Sequence, residues 1–408
     1  MFVDPVALDA AEEQIEQDIL EGCKVLGLPE SVLGSPTQLG RVVFGEWGYT
    51  PISYTPKGQP SADADTWILL AYQTKDERLK TLLKTRQALT LRSKYIKVAR
   101  EALARTGDGY LYGKPTMFGT TSGRLTYASE TMPGCKVSIA QHQIPRKDKI
   151  IRRYLSPPPG SRVWESDAMA QESRIMGIWS SDSEIVRIFN EGTNFHSHMG
   201  SRIYGVAYEV FQREYESGDS KYIEWRQMGK LTNLSCNFRI GGPKLAKKAL
   251  TEYDTYMSEE DGRRLVRTFQ QSYPGVPAYW RAIIEFAKRE GYTYTLDQRR
   301  YKVPLDMMNS GDAWKVEGTV ISHPIQGTGA GMFLAAISQV PEARIQTNMH
   351  DGVFWIVDEG PAGVEESEYI LNKLNNTPYQ EMWDMDAPLA IPLLYEGSKI
   401  GTSYADVK

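Results

Sequence analysis

Apolar and polar positions divide this chain into helical and strand-rich stretches. After Asp4-Pro5, apolar residues recur at Leu8, Ala11, Ile15, Ile19 and Cys23, the spacing of one helix face. Asp4 supplies an N-cap, Pro5 suits the first helical position, and Gly27 with Pro29 ends the helix. Glycine, proline and serine punctuate residues 27–65, within a first hundred residues that read as mostly helical with a basic face. A second helical stretch covers about 75–105, with Leu79, Leu82, Leu83 and Leu91 among basic residues. From Gly107 to Asp167 short strand-like pieces alternate with turns, and Pro157-Pro-Pro-Gly160 reverses the chain before the strand Arg162–Glu165. Helical patterning returns from about 170 to 290, broken at Gly241-Gly-Pro243 and Tyr273-Pro-Gly275. Near the end, Ala343–Met349 and Val353–Val357 flank His350-Asp351-Gly352, which predicts a hairpin with Asp-Gly at its turn.

The length, 408 residues, allows two or three lobes with their own cores, and 41% hydrophobic and 24% charged residues are ordinary for a globular protein. Cys23, Cys135 and Cys236 are odd in number, far apart and without metal-ligand spacing, which fits a reducing, cytosol-like compartment. The acidic N-terminus is unlike a signal peptide, and no apolar run reaches the roughly 20 residues that span a bilayer. A soluble cytoplasmic protein, of a bacterium or a phage-infected host, is expected.

The net charge of −4 conceals an uneven distribution. Lys75 to Arg105 holds ten Lys or Arg against three acids, and Arg146, Lys147, Lys149, Arg152 and Arg153 surround the single acid Asp148. Each run alone reads as a solvated helix face. Together, set apart from acidic ends, they fit a basic cleft that would hold a phosphate backbone.

Asp167 and Asp351 each follow a strand-like run, 184 positions apart. Either has an ordinary explanation, Asp167 as a helix N-cap and Asp351 as half of a turn pair. Arg226, Lys230, Leu234 and Phe238 are spaced by four and share one helix face. Arg and Lys one turn apart can grip adjacent phosphates, although an amphipathic helix with a basic end has the same spacing.

The surrounding motifs decide between these readings. The chain resembles the polymerase portion of family A DNA polymerases, the bacterial DNA polymerase I group, nearly end to end. Gly34-Ser-Pro-Thr-Gln-Leu39 resembles a segment near the family's thumb tip, Thr121-Ser-Gly-Arg-Leu-Thr126 its Thr-Gly-Arg-Leu-Ser element, and Gln141-His-Gln-Ile-Pro145 its Leu-Gln-Asn-Ile-Pro. Asp167 to Arg174 is similar to the first catalytic motif at its Asp, Glu and final Arg. Arg226 to Arg239 follows the nucleotide-binding helix, with Asn233 in register. Tyr273-Pro-Gly-Val276, Thr295-Leu-Asp-Gln-Arg-Arg300, Pro324-Ile-Gln-Gly-Thr328 and His350-Asp351 complete the series in order.

The resemblance implies an α+β right-hand fold with a helical thumb, an antiparallel-sheet palm and helical fingers. The corresponding boundaries are 1–115 for the thumb and its connection, 116–195 for the first part of the palm, 196–300 for the fingers and 301–408 for the second part of the palm. It implies that Asp167 and Asp351, with the Ala168 carbonyl, hold two magnesium ions (Mg2+), and that His196, Arg226 and Lys230 bind the triphosphate of a dNTP. Leu234 and Phe238 would face the incoming nucleotide, and Glu172 would lie beneath its sugar and block a 2′-hydroxyl. Arg124, Gln326 and His350 would contact primer–template DNA, with Arg174 in the same DNA-facing set at the motif's end. His198, His323 and most tryptophans read as structural. Dividing the metal ligands by an inserted fingers lobe accounts for the long gap between the aspartates.

The chain departs from the family pattern at five positions. Leu234 stands where Phe or Tyr is usual, and Phe238 lacks the Tyr hydroxyl that could bond to Glu172. Gly352 replaces the Glu after His-Asp, and Gly318 and Ser322 replace Arg and Asn that contact duplex. A permissive or slow site is therefore expected. Met1 lies close to the first thumb helix, so a chain without a proofreading exonuclease is expected, as in a bacteriophage gene or a truncated polypeptide. A separate exonuclease or processivity factor would be a further partner. Two alternatives remain: a single-subunit RNA polymerase, disfavoured by Glu172, and an inactive primer–template-binding subunit, disfavoured by the retained aspartates and cations.

Overall fold

The first helix, α1 (Pro5–Leu26), starts and stops where its capping residues direct. Asp4 accepts hydrogen bonds from the amides of Val6 and Ala7 at 2.9 and 3.1 Å, and Gly27 leaves the helix in the left-handed conformation. Its buried stripe runs from Leu8 to Ile19 and then through Gly22 and Leu26, while Cys23 is only half-buried. A close approach explains the shift: a Cβ on Gly22 would lie 1.8 Å from the Thr85 hydroxyl. The computed structural model describes residues 1–127, 139, 141–145, 149–349, 351–397 and 400–407.

The stretch 27–65 sets short helices between its punctuating residues. Short helices Glu30–Leu33 and Pro36–Arg41 lead into a π turn at Val42–Glu46. Leu33, Leu39 and Val43 bury against Trp67 of helix α2 (Ala64–Thr74) in a small separate core. Helices this short are marginal alone, so packing on Trp67 rather than local periodicity sustains them. The second predicted helix is present as α3 (Glu77–Leu91), a π turn at Arg92–Ile96 and α4 (Lys97–Thr106).

A five-stranded antiparallel sheet occupies the centre. Its strands are β1 (Ser161–Ala168), β2 (Arg344–Met349), β3 (Gly352–Asp358), β4 (Tyr395–Glu396) and β5 (Ile400–Gly401), in the order β4–β1–β3–β2 with β5 also paired to β1. Both faces of β3 are covered. Phe354 and Ile356 join the core beneath the N-terminal helices, while Val353, Trp355 and Val357 join the large core of the rest of the chain. This double burial is why 353–357 reads as an unbroken apolar run. Trp164 stacks on its cross-strand partner Trp355, ring centroids 6.3 Å apart.

The helical stretch after β1 includes α5 (Gln171–Ser180), α6 (Phe195–Tyr204), α7 (Ser220–Cys236), α8 (Gly242–Tyr253) and α9 (Gly275–Glu290). The expected breaks are real, since Gly241 and Pro274 hold the positions preceding α8 and α9. Helix α10 (Trp314–Ile337) runs through the large core with Pro324 inside it. The N-terminal helices also reach this lobe: Lys247 of α8 pairs with Asp65 of α2 at 3.0 Å, and Tyr256 stacks on Tyr72 at 5.0 Å. Among the described residues, no helix is long and apolar enough to cross a membrane.

Candidate active site

Strand register brings the two aspartates together. Asp167, 5% exposed, lies opposite Gly352 across β1 and β3, and the Ala168 amide donates to the Asp351 carbonyl at 3.3 Å. Asp167 is thus a strand residue and not a helix cap; the position before α5 belongs to Ala170, in the left-handed conformation. The expected Asp-Gly turn does not include its glycine. Met349 pairs with Gly352, so Gly352 already belongs to β3. His350, an expected DNA contact, lies outside the described residues.

Gly352 has a steric reason as well. A Cβ there would fall 2.5 Å from Asp167 Oδ1 and 3.4 Å from Glu165 Oε1, so the bare backbone makes room for the carboxylate. Among the described residues no group of three or more His, Cys, Asp or Glu is gathered as a metal site. Two carboxylates and a carbonyl nevertheless fit a hard cation. Mg2+ commonly keeps several waters and takes one or two protein carboxylates beside substrate phosphates.

A second cluster forms where α6 and α7 cross. Asn194 caps α6 by accepting from the amides of His196 and Ser197, which fixes His196 in the first turn. A Cβ on Gly229 would lie 2.3 Å from the His196 carbonyl and 2.8 Å from the Gly200 amide. That absence of side chains lets α7 approach closely and brings Arg226 and Lys230, on either side of Gly229, to His196. Asn233 holds the joint by donating to the Phe195 carbonyl at 2.9 Å. Burial pushes the His196 imidazole down to about 3, aided by the positive charges of Arg226 and Lys230. The ring is therefore neutral at pH 7, at a place of positive potential suited to an anion.

The predicted four-residue stripe continues only in part along α7. Arg226, Lys230 and the half-buried Leu234 lie on the helix, which ends at Cys236. Phe238 falls in the turn beyond, followed by Arg239 in the left-handed conformation. The turn is locked by Trp280, which donates to the Asn237 carbonyl at 3.0 Å, and by Asn237 donating to the Ser173 hydroxyl at 3.3 Å.

Glu172 sits beside that contact, in the first turn of α5. Its Oε1 accepts from Arg124 at 3.0 Å and from Gln326 of α10 at 3.3 Å, which draws three predicted residues together. Gln171 donates to the Gly329 carbonyl at 3.2 Å and fixes this turn against α10. Arg174 lies elsewhere: it is 7% exposed, donates to the Pro392 carbonyl at 2.8 Å and covers the Phe189 ring at 4.6 Å. It braces the fold under the site rather than facing a cleft. His198 and His323 are buried among Glu184, Tyr273 and Thr293, as structural residues.

The basic runs differ from expectation. Arg92 pairs with Glu16 and Glu30, and Arg100 with Asp9 and Glu12, so these two cations of the Lys75–Arg105 run are turned toward α1 and the short helix after it. Arg152 is buried, donating to the Pro145 carbonyl at 3.2 Å, and Arg146, Lys147 and Asp148 lie outside the described residues. Sequence reasoning also missed Gly229, Gly200 and Gln171. The glycines at matching points of two helix patterns were the available signal for the first two; nothing marked Gln171 beyond its place before Glu172.

DNA polymerase I of Streptococcus pneumoniae is 24% identical over 383 residues, covering 92% of this chain and 40% of the relative. The thermostable DNA polymerase I of Thermus aquaticus is 26% identical over 405 residues, covering 97% and 44%. The chain thus spans about two fifths of the length of these curated relatives. The polymerase domain of Pol1 from M. smegmatis, solved in complex with DNA primer–template and dNTP, superposes with a TM-score of 0.81 at 23% identity, covering all of this chain and 67% of that one. This likeness shows that the α+β right-hand polymerase fold is shared. The profile of DNA polymerase family A matches residues 7–406, and the chain belongs to that family.

Proposed function

We propose that this chain is a DNA-templated DNA polymerase that adds dNMP to a primer 3′ end and releases pyrophosphate. The register that sets Asp167 and Asp351 at adjoining strand ends is the observation that carries the reading. The segments 1–115, 116–195, 196–300 and 301–408 act as thumb, first palm part, fingers and second palm part. Two magnesium ions bound at Asp167, Asp351 and the Ala168 carbonyl would lower the pKa of the primer hydroxyl and neutralise the leaving pyrophosphate. Arg226 and Lys230 bind the triphosphate, Arg by its planar fork and Lys as a point charge. Neutral His196 donates one ring N–H to a phosphate oxygen. Leu234 and Phe238 pack on the incoming nucleotide, and Glu172 blocks a 2′-hydroxyl. Arg124, Gln326 and His350 face the primer–template, with Arg174 bracing α5. No exonuclease step is assigned to these residues.

Glu172 favours this reading over a single-subunit RNA polymerase, whose substrate needs room for the 2′-hydroxyl. Primer extension with Mg2+ tests it, beside Asp351→Asn. Wild-type extension and a loss of at least about a thousandfold in the variant are expected. Undiminished extension by Asp351→Asn would remove the metal assignment. No extension by wild type would favour an inactive primer–template-binding subunit.

A further inference from the structure

The sugar-facing carboxylate assigned above needs something to hold it still. A carboxylate on a flexible stem excludes a 2′-hydroxyl only if it cannot swing aside, and position 238 supplies no hydroxyl for that purpose because it is Phe. The Asn237–Ser173 hydrogen bond joins the residue before Phe238 to the residue after Glu172, so one fixed contact ties the two backbone segments together. The backbone under Glu172 is fixed as well, by the left-handed turn at Ala170 and by Gln171 on the Gly329 carbonyl.

Two donors converge on Oε1 of Glu172. The Arg124 guanidinium, from the segment between strands Pro115–Thr116 and Thr126–Tyr127, lies at 3.0 Å, and the Gln326 amide, from α10, at 3.3 Å. The Glu172 side chain is 25% exposed and that of Arg124 44%, so the pair is open to an incoming ligand and still shielded enough to orient the group. We propose that Arg124 and Gln326 are positioning residues for Glu172, and that they set deoxyribose selection in place of the missing hydroxyl. This inference rests on the polymerase reading. It adds a role for two residues otherwise assigned only to the primer–template.

The test is the ratio of kcat/KM for dNTP to that for the matching rNTP at saturating primer–template. A weakened duplex contact lowers both terms and cancels, whereas a loosened Glu172 changes their quotient. Gln326→Met keeps the volume and removes the donor; its ratio is expected to fall roughly tenfold, the effect of one modest hydrogen bond. Arg124→Met should lower it further, since the lost donor is charged. Adding Phe238→Tyr to Gln326→Met should restore part of the ratio by returning a hydroxyl to the carboxylate. A variant that melts early is replaced by Gln326→Leu or Arg124→Gln. Ratios within about twofold of wild type in both single variants, with primer–template affinity reduced, would overturn the proposal and leave the two residues as duplex contacts. A wild type that incorporates no dNTP would instead overturn the polymerase reading itself.

Discussion

Two parts of this molecule carry conspicuous positive charge, and they differ in what faces it. Along the π turn after α3 and along α4, arginines meet acids of α1 and the short helix after it: Arg92 lies against Glu16 and Glu30, and Arg100 against Asp9 and Glu12. On α7 the cations meet another helix's histidine. Arg226 and Lys230 both depress the His196 imidazole, and the Arg226 guanidinium lies over the Tyr215 ring at 4.8 Å. Charge that is already matched within the fold has little left for a ligand. Charge gathered beside a desolvated neutral ring raises the local potential, and an anion bound there would offset it. The number of Lys and Arg in a segment is thus a poor guide to phosphate binding; the residues packed opposite them decide it.

The largest expected effect separates the two regions directly. Arg226→Ala and Lys230→Ala should each lower kcat/KM for dNTP by roughly 10- to 100-fold, the loss of a charge-assisted phosphate contact. Single-nucleotide incorporation measures this. If Arg92→Ala reduced it as much, the distinction drawn between the helices would fail.

Next in size is the helix crossing that makes the second cluster possible. Gly229→Val would force side-chain atoms into the His196 carbonyl and the Gly200 amide. Overpacking of this kind costs roughly 1–3 kcal/mol. Denaturant unfolding should show a lower midpoint, and nucleotide affinity should fall because α7 no longer lies against His196. An unchanged midpoint would mean that the approach of α6 and α7 is not needed.

His196 supplies a pH dependence with a definite sign. Its folded value is about 3 against an ordinary 6.5, so below pH 6.5 the unfolded chain takes up a proton that the folded chain refuses. Stability from this group is present above 6.5 and declines as pH falls toward 3. His323, pushed down to about 4 by burial and Arg299, acts in the same direction. His196→Gln should flatten part of the acid limb of the unfolding midpoint, and tripolyphosphate should shift the wild-type limb by favouring the charged ring. Identical limbs in variant and wild type would contradict a buried, cation-flanked imidazole.

Local signals carried far in this sequence. Asp4 and Gly27 marked the ends of α1, Gly241-Gly-Pro243 marked a helix break, and the apolar run after Gly352 marked a strand buried on both faces. What was not legible depended on distant partners. The Asp-Gly pair has the composition of a turn, but the β2–β3 register carries Gly352 into the strand, where Asp167 needs its missing side chain. Glu172 meets donors 48 and 154 positions away, and no local pattern announces either. Phe238 kept helical spacing with Lys230 and Leu234, yet the helix ends before it because Asn237 is tied to Ser173 and Trp280.

The smallest expected effect examines the matched side of the comparison. The Arg92 side chain is 11% exposed and reaches two carboxylates that are each 49% exposed, whereas Arg100 is 39% exposed beside Asp9 and Glu12. Removing Arg92 leaves Glu16 and Glu30 near each other without their shared cation, so Arg92→Ala should cost about 1–2 kcal/mol of unfolding free energy. Arg100→Ala, at a wetter site, should cost about 1 kcal/mol or less. Primer–template affinity should remain within about twofold in both, with an unchanged dependence on salt, because a cation already held by carboxylates releases no counterion from DNA. A shallower salt slope with an undisturbed melting curve would show that these arginines leave α1 and the short helix after it for the phosphate backbone when DNA binds.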